Sequence, residues 1–306
     1  MDNLKSFLDQ VTLGDVQTTE HVMIIPIFNK KPKAENYIGL TEAFKTNVLE
    51  IKEVSQDGSV NDVIAVNKGH VPILILESEQ FKGAKQNRMI NTTVLIPAQS
   101  ELTIPVTCTE QGRWKYDSPI FEESNFMVHH SARKYHKNDM VDKATQPKFN
   151  YVSNQRAIWN DIGALENTKG AVSKTQALDD VYNADHKQYE KYANLKTIQD
   201  EQVGMAIYIN EILIGIEYVS RPEVYKDIHE KLLKSFLIDI EAPKETGNVM
   251  YDDFLYEQIR RDIRSDNISD LRINPSVGLG TDYRWQGDDL SYNGIINQDL
   301  LHLSGV

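Results

Sequence analysis

The sequence predicts an α+β protein with a β-rich, sandwich-like N-terminal part, a polar helical middle and a C-terminal α+β part built around a buried hairpin. Three observations carry that reading. Short apolar strands separated by turn signals fill the chain as far as residue 108. From 118 to 202 the sequence is polar, with sparse helical spacing. At 203 two nearly continuous apolar runs meet about a two-residue turn, and a helical stripe follows. These changes of texture divide the chain into 1–117, 118–202 and 203–306.

The elements follow in order. LKSFLDQV (4–11) has helical spacing and predicts a short helix. HVMIIPIF (21–28) reads as a strand, with Pro26 placing it at an edge or a bulge. LTEAFKTN (40–47) offers a turn or two of helix. VLEIKEV (48–54) alternates apolar and charged residues as a half-buried strand does, and Asp57-Gly58 supplies a hairpin turn into DVIAVNKG (62–69). VPILILE (71–77), TTVLIP (92–97) and ELTIPVTC (101–108) complete the set. The short connection 98–100 makes the last two antiparallel neighbours.

FEESNFMVHHSARKYHKNDMV, NQRAIWNDIGAL, TQALDDVY and ADHKQYEKYANLKTIQ read as surface helices. VGMAIYI and ILIGIEYV are apolar on both faces, the mark of central strands. Val224, Ile228, Leu232 and Phe236 recur four apart behind Pro222 and form one helix stripe. YDDFLYEQIRRDI reads as another helix, and the Gly-punctuated end of the chain as short segments that include strands.

Bulk properties narrow the function. The chain has 306 residues, 40% hydrophobic and 25% charged, which is a globular composition. A net charge of -12 repels phosphate backbones, so nucleic acid is not an expected partner. A local Lys/Arg cluster can still hold a small anion. One cysteine, Cys108, rules out an intramolecular disulfide and a multi-cysteine zinc site. Its strand setting suits a packed small hydrophobe better than a nucleophile. The chain starts without an apolar core of signal-peptide length, and no run reaches the roughly 20 apolar residues of a span. The expected location is cytoplasmic, with no membrane partner.

Two polar stretches interrupt the apolar strands. In ESEQFKGAKQNRMINTTVLIP, nine of the first twelve residues are polar. Arg88 can fork onto a carboxylate or phosphate, Lys82 and Lys85 add point charges, and Gln86 and Asn87 can orient a ligand. Glu77 and Glu79 are candidates for acid/base work or a hard cation. A solvated hairpin with Arg88 paired to Glu79 explains the same residues. In TEQGRWKY, Arg113 and Trp114 beside Glu110 can clamp an anion and stack on a ring. A strand-end salt bridge with Trp114 in the core is the alternative. If the 92–108 hairpin forms, both stretches emerge at one sheet end, and Arg88 and Arg113 face one cavity. Glu79 and Glu110 are then the catalytic candidates, and Lys85, Gln86, Asn87, Arg88, Arg113 and Trp114 the ligand-binding ones.

Other features carry less. His129, Arg133 and His136 share one helix side, but no HExxH-type spacing exists, so a polar surface helix is preferred and no metal site is expected. GLGTDYRWQG lacks the third glycine of a dinucleotide fingerprint. Arg284 and His302 remain as outlying site candidates.

GAKQNR together with IPVTCTEQGRW resembles a bacterial family, the ARG-and-rhodanese-phosphatase-associated protein domain. The resemblance runs nearly end to end and includes Gln202 to Gly204 and the terminal GLGTDYR and LLHLSG segments. It matches at Glu79, Gly83, Lys85, Gln86, Asn87, Arg88, Glu110, Gly112, Arg113 and Trp114; the family has glycine where this chain has Ser78. The family name implies association with ADP-ribosylglycohydrolases and phosphatases. The expected function is binding, and at its furthest hydrolysis, of a small anionic ligand such as a nucleotide or ADP-ribose derivative. The rival is a non-catalytic interaction or structural protein whose polar motifs hold its own fold. The expected discriminator is whether Arg88 and Arg113 lie open or spend their donors internally. The sequence identifies no cofactor.

Overall fold

A computed structural model describes residues 7, 9–30, 35–146, 149–240, 257 and 270–306. Among these residues the chain forms three β-sheets with helices packed against them, an α+β fold that is β-rich through its N-terminal part.

The largest sheet has nine strands. Its order is β1 (Val11–Leu13), β3 (Val22–Asn29), β13 (Gly204–Ile209), β14 (Ile212–Val219), β18 (Asp299–Gly305), β17 (Ser291–Asn297), β16 (Thr281–Gln286) and β15 (Arg272–Pro275), with β2 (Gln17–Thr19) also on β3. The two apolar runs, β13 and β14, are interior strands buried on both faces. Met205 and Ile207 enter one apolar cluster and Ala206 the other. Pro26 fits β3 because its carbonyl accepts from Gly14 N–H (2.8 Å), so its donorless nitrogen faces the same side. There β2 pairs with residues 22–24 and β1 with residues 27–29, leaving Pro26 in the gap between them.

A six-stranded sheet runs β12 (Phe121–Met127), β8 (Glu79–Gly83), β9 (Arg88–Ile90), β11 (Ser100–Cys108), β6 (Asp62–Asn67) and β5 (Leu49–Glu53). The Asp57-Gly58 turn joins β5 to β6 as an antiparallel hairpin. Between the two large sheets lies a small one of β10 (Val94–Ile96), β7 (Ile73–Ile75) and β4 (Ile38–Gly39). Ile73 and Ile75 pack with Ile51, Phe81 and Ile104 of the six-stranded sheet. Leu74 and Leu95 pack with Ile24, Ile207 and Ile295 of the nine-stranded one. Because β1–β3 join the sheet of residues 204–305, the divisions at 117 and 202 are boundaries of sequence texture that the sheets cut across.

Helix α1 (Leu40–Lys45) forms as its spacing predicts. The middle of the chain holds α2 (His130–Lys143), α3 (Gln155–Lys169), α4 (Leu178–Ala184) and a 3-10 segment (His186–Lys196). Helix α5 (Pro222–Leu237) starts with its proline in the first turn, where no N–H is missed, and buries Val224, Ile228, Leu232 and Phe236. Of the expected helix at 4–11, only Phe7, Asp9 and Gln10 are described as helical, and β1 already begins at Val11. The expected helix at 251–263 lies outside the described residues apart from Glu257.

Three expectations are corrected. Residues 92–97 and 101–108 are not a hairpin: β10 pairs with β7, while β11 pairs with β6 and β9. All three β10 residues are buried, so that strand needs cover on both faces. The side chain of Asn67 holds the Pro97 carbonyl (2.9 Å) where the chain leaves one sheet for the other. FEESNFM is a strand, not a helix. It buries Phe121, Ser124 and Met127, and a register shift between Glu123 and Met127 converts strand alternation into a spacing of three. Helix α2 is not a surface helix, since Arg133, His136 and Lys137 are buried with Ala132, Met140 and Val141.

Candidate functional site

The polar stretch after residue 77 is a β-hairpin inside the sheet. β8 and β9 pair antiparallel, and Gly83 (φ 102) and Ala84 (φ 40) turn the chain between them. Asn87 Oδ1 closes the turn by accepting from Gly83 N–H (3.0 Å). β9 then pairs with β11, Arg88 opposite Cys108, and Thr109 N–H donates to the Asn87 carbonyl (2.9 Å). The two motifs thus meet at one sheet end, through β9–β11 pairing. Ser78 stands at φ 73, a left-handed position that glycine would take without strain.

Arg113 is the centre of the junction. Its Nε and Nη2 donate to Glu110 (2.9 and 2.7 Å). Nη1 donates to the carbonyls of Ala84 (2.6 Å) and Lys115 (3.1 Å), and Nη2 also reaches Gly83 O (3.2 Å) and Asn87 Oδ1 (3.3 Å). All five N–H groups meet protein acceptors. Burial raises the Glu110 carboxyl, but hydrogen bonds from Arg113, Thr175 and Asn87 N–H outweigh it and hold the group below its ordinary range. Gly112 lets this segment touch the helical middle: its N–H donates to Thr175 O (2.7 Å), and a Cβ there would lie 2.9 Å from Thr175 Cα.

Arg88 is fully buried on the other side of the strand, in line with Ile90 of the N-terminal core. It donates to Gln86 Oε1 (3.0 Å), Ser59 O (3.2 Å) and the Cys108 sulfur, and lies 3.7 Å from Glu53. The expected common cavity of Arg88 and Arg113 therefore does not form. Burial pushes the Cys108 thiol up to about 11, which suits a packing role. Trp114 does not plug the core; it is 46% exposed, with Arg88 and Lys85 5.3 and 5.4 Å from its ring. Glu79 is buried beneath α5. Its Oε2 accepts from Leu76 N–H (2.8 Å), Lys231 lies 3.9 Å away, and burial pushes its carboxyl up to about 7. It does not line the cleft that Glu110 lines.

That cleft, about 670 Å³, opens between the β8–β9 turn, β12 and α4. Beside the Glu110–Arg113 pair its walls carry Lys82, Asp117, Glu122, Asp179 and Asp180, with Asn125 and Asn183 among them. Lys82 makes no ion pair among the described residues. Burial pushes Asp179 up to about 6, opposed by a hydrogen bond from Ser124 and by Lys82. The cleft is rich in acceptors for hydroxyl and amine groups, and its acidity opposes a highly charged anion.

A second polar constellation is sealed between α2 and the nine-stranded sheet. Arg284, Asn293, Ser304 and Glu217 stand in register across four neighbouring strands. Lys137 reaches down from α2 to Glu77 (2.8 Å), Ser304 (3.1 Å) and Asn293. Glu77 also binds Arg284 (3.0 Å), and Arg133 binds Glu217. Burial raises both acids, but these cations outweigh it and keep them below the usual range. His302 and His136 are pushed down by burial. His136 shares Ser153 and Asn91 O (both 2.9 Å), and His129 meets Asp161 (2.6 Å). Three acids, Glu77, Asp282 and Glu217, face three cations, Arg133, Lys137 and Arg284, all fully enclosed. The signal for them was polar residues at alternate positions of a strand, as in Asp282/Arg284 and His302/Ser304.

A family model described as the ARG and Rhodanese-Phosphatase-superfamily-associated Protein domain matches residues 10–306. No curated protein matches the chain, and no solved structure does.

Proposed function

The chain belongs to the ARG and Rhodanese-Phosphatase-superfamily-associated Protein domain family, whose name assigns no reaction, and we propose from the geometry that it is a non-catalytic binding protein. In this reading the motif residues frame the fold and the adjoining cleft takes a small polar ligand. One observation carries it: every N–H of Arg113 is spent on the protein's own acceptors, leaving none for an anion. Arg88 is enclosed as well. What remains accessible is the cleft, with its carboxylates, amides and Lys82. Such walls suit a hydroxyl- or amine-bearing molecule.

Lys82, a cation with no ion-pair partner among the described residues, favours a second reading. In it the ligand is anionic, a nucleotide or ADP-ribose derivative, and hydrolysis is a further step. A thermal-shift comparison of ribose, AMP and ADP-ribose separates the two. Stabilisation by ribose that Glu122→Gln weakens and Lys82→Ala leaves intact supports the first. Stabilisation by AMP or ADP-ribose that Lys82→Ala abolishes supports the second. No shift with any of the three removes the cleft as a site and leaves a purely structural role.

A further inference from the structure

The cleft does not end at the β8–β9 turn. A second, shallower cavity of about 500 Å³, lined by Gln56, Tyr116, Asp117, Ser118 and Pro119, shares Asp117 and Ser118 with it. The shared rim is held firmly. Asp117 N–H donates to Ala84 O (2.9 Å), while Ser118 Oγ accepts from Ala84 N–H (2.9 Å) and donates to Ile120 O (2.6 Å).

Tyr116 is exposed (44%), yet its ring is anchored at both ends of its reach. The single phenol proton is shared between the carbonyls of Gln56 (3.3 Å) and Ser55 (3.4 Å). The Lys85 ammonium sits 5.1 Å from the ring centre and is itself tied to Asp57 O (2.9 Å). Exposing an aromatic ring gains nothing for folding, but fixing its orientation in advance lowers the entropy cost of stacking on it. Pro119 adds a second rigid apolar surface beside it.

We propose that Tyr116 and Pro119 form a stacking platform for a planar ring, so that the site takes a two-part molecule: a flat heteroaromatic ring joined to a polar, hydroxyl-bearing part. The inference rests on the cleft being a binding site. The polar part lies among the carboxylates and amides, the ring on Tyr116, and the linkage crosses the Asp117–Ser118 rim.

Isothermal titration with adenosine, cytidine and ribose tests it, in the intact protein and in Tyr116→Ala and Tyr116→Phe. At least one nucleoside is expected to bind the intact protein about tenfold or more tighter than ribose, the scale of one stacked base. Tyr116→Ala should erase that difference and leave ribose binding unchanged, while Tyr116→Phe should keep it. An unchanged unfolding midpoint of apo Tyr116→Ala confirms that the variant is folded, and Tyr116→Leu, which also removes the flat ring, carries the test if it is not. Ribose binding with no nucleoside preference, or a preference that survives Tyr116→Ala, overturns the platform and leaves the cleft reading standing. No binding of any of the three probes overturns both.

Discussion

Arg113 and Glu79 show how differently two buried motif charges behave. Arg113 is satisfied, and its loss would strand Glu110, which is 4% exposed, together with several carbonyls. Arg113→Ala is therefore expected to cost on the order of 3–5 kcal/mol of apo stability in urea unfolding. Arg113→Lys, with three donors and no fork, should recover only part of it. A loss below about 0.5 kcal/mol, the range of an ordinary surface change, would contradict the structural role. Glu79 is only half satisfied, since its Oε1 finds no hydrogen bond among the described residues. Its folded-state carboxyl is pushed up from 4.5 to about 7, so the folded protein binds its proton more tightly than the unfolded chain does. The resulting stability is fully present below pH 4.5 and is lost as pH rises through about 7. Glu79→Gln should therefore unfold like the parent at pH 4.5 and be more stable at pH 8, by roughly 2–4 kcal/mol. Equal stability of the two at pH 8 would show that Lys231 holds the carboxylate ionised.

At the scale of elements, the junction of the 109–112 segment with residues 175–178 matters most, because it forms one wall of the cleft. Gly112 N–H bonds Thr175 O, Leu178 N–H bonds Thr109 O, and Glu110 bridges Ala177. Gly112 permits this contact, since a side chain would press on the Thr175 backbone, which cannot rotate aside. Gly112→Ala is expected to cost about 1–3 kcal/mol and to displace α4 from the turn. Faster hydrogen exchange at 175–180 would report the displacement, and unchanged protection there would refute it. The β8–β9 hairpin follows the same logic. Gln86, Asn87 and Arg88 are buried and supply bonds that its own short strands cannot.

At the scale of the molecule, the nine-stranded sheet ties the chain's beginning to its end. β3 pairs with β13, and Glu77 links by ion pairs to Lys137 on α2 and Arg284 on β16. A fragment of residues 118–306 would expose the β13 edge and leave Lys137 and Arg284 without Glu77. We expect that fragment to lack a cooperative transition in urea, and the whole chain to unfold in one step by near-ultraviolet circular dichroism and fluorescence. A fragment that unfolds cooperatively by itself would place a true boundary near 118.

The sequence by itself determined the fold class, the Asp57-Gly58 hairpin, the central strands β13 and β14 and the α5 stripe. Each of these rests on local chemistry: a turn that needs Gly, a period of two, a spacing of four. Tertiary structure decided the rest. The strand Val94–Ile96 is apolar on both faces, and only a third layer could say that it pairs with β7 rather than β11. Residues 121–127 carry a bulge, which hides a strand behind helical spacing. Whether Arg88, Lys137 or Arg284 meets solvent depends on acceptors far away in the chain, at Ser59 for the first and at Glu77 for the other two. A charge reads the same in a sequence whether it is solvated or enclosed, because the partner that allows its burial is chosen by packing.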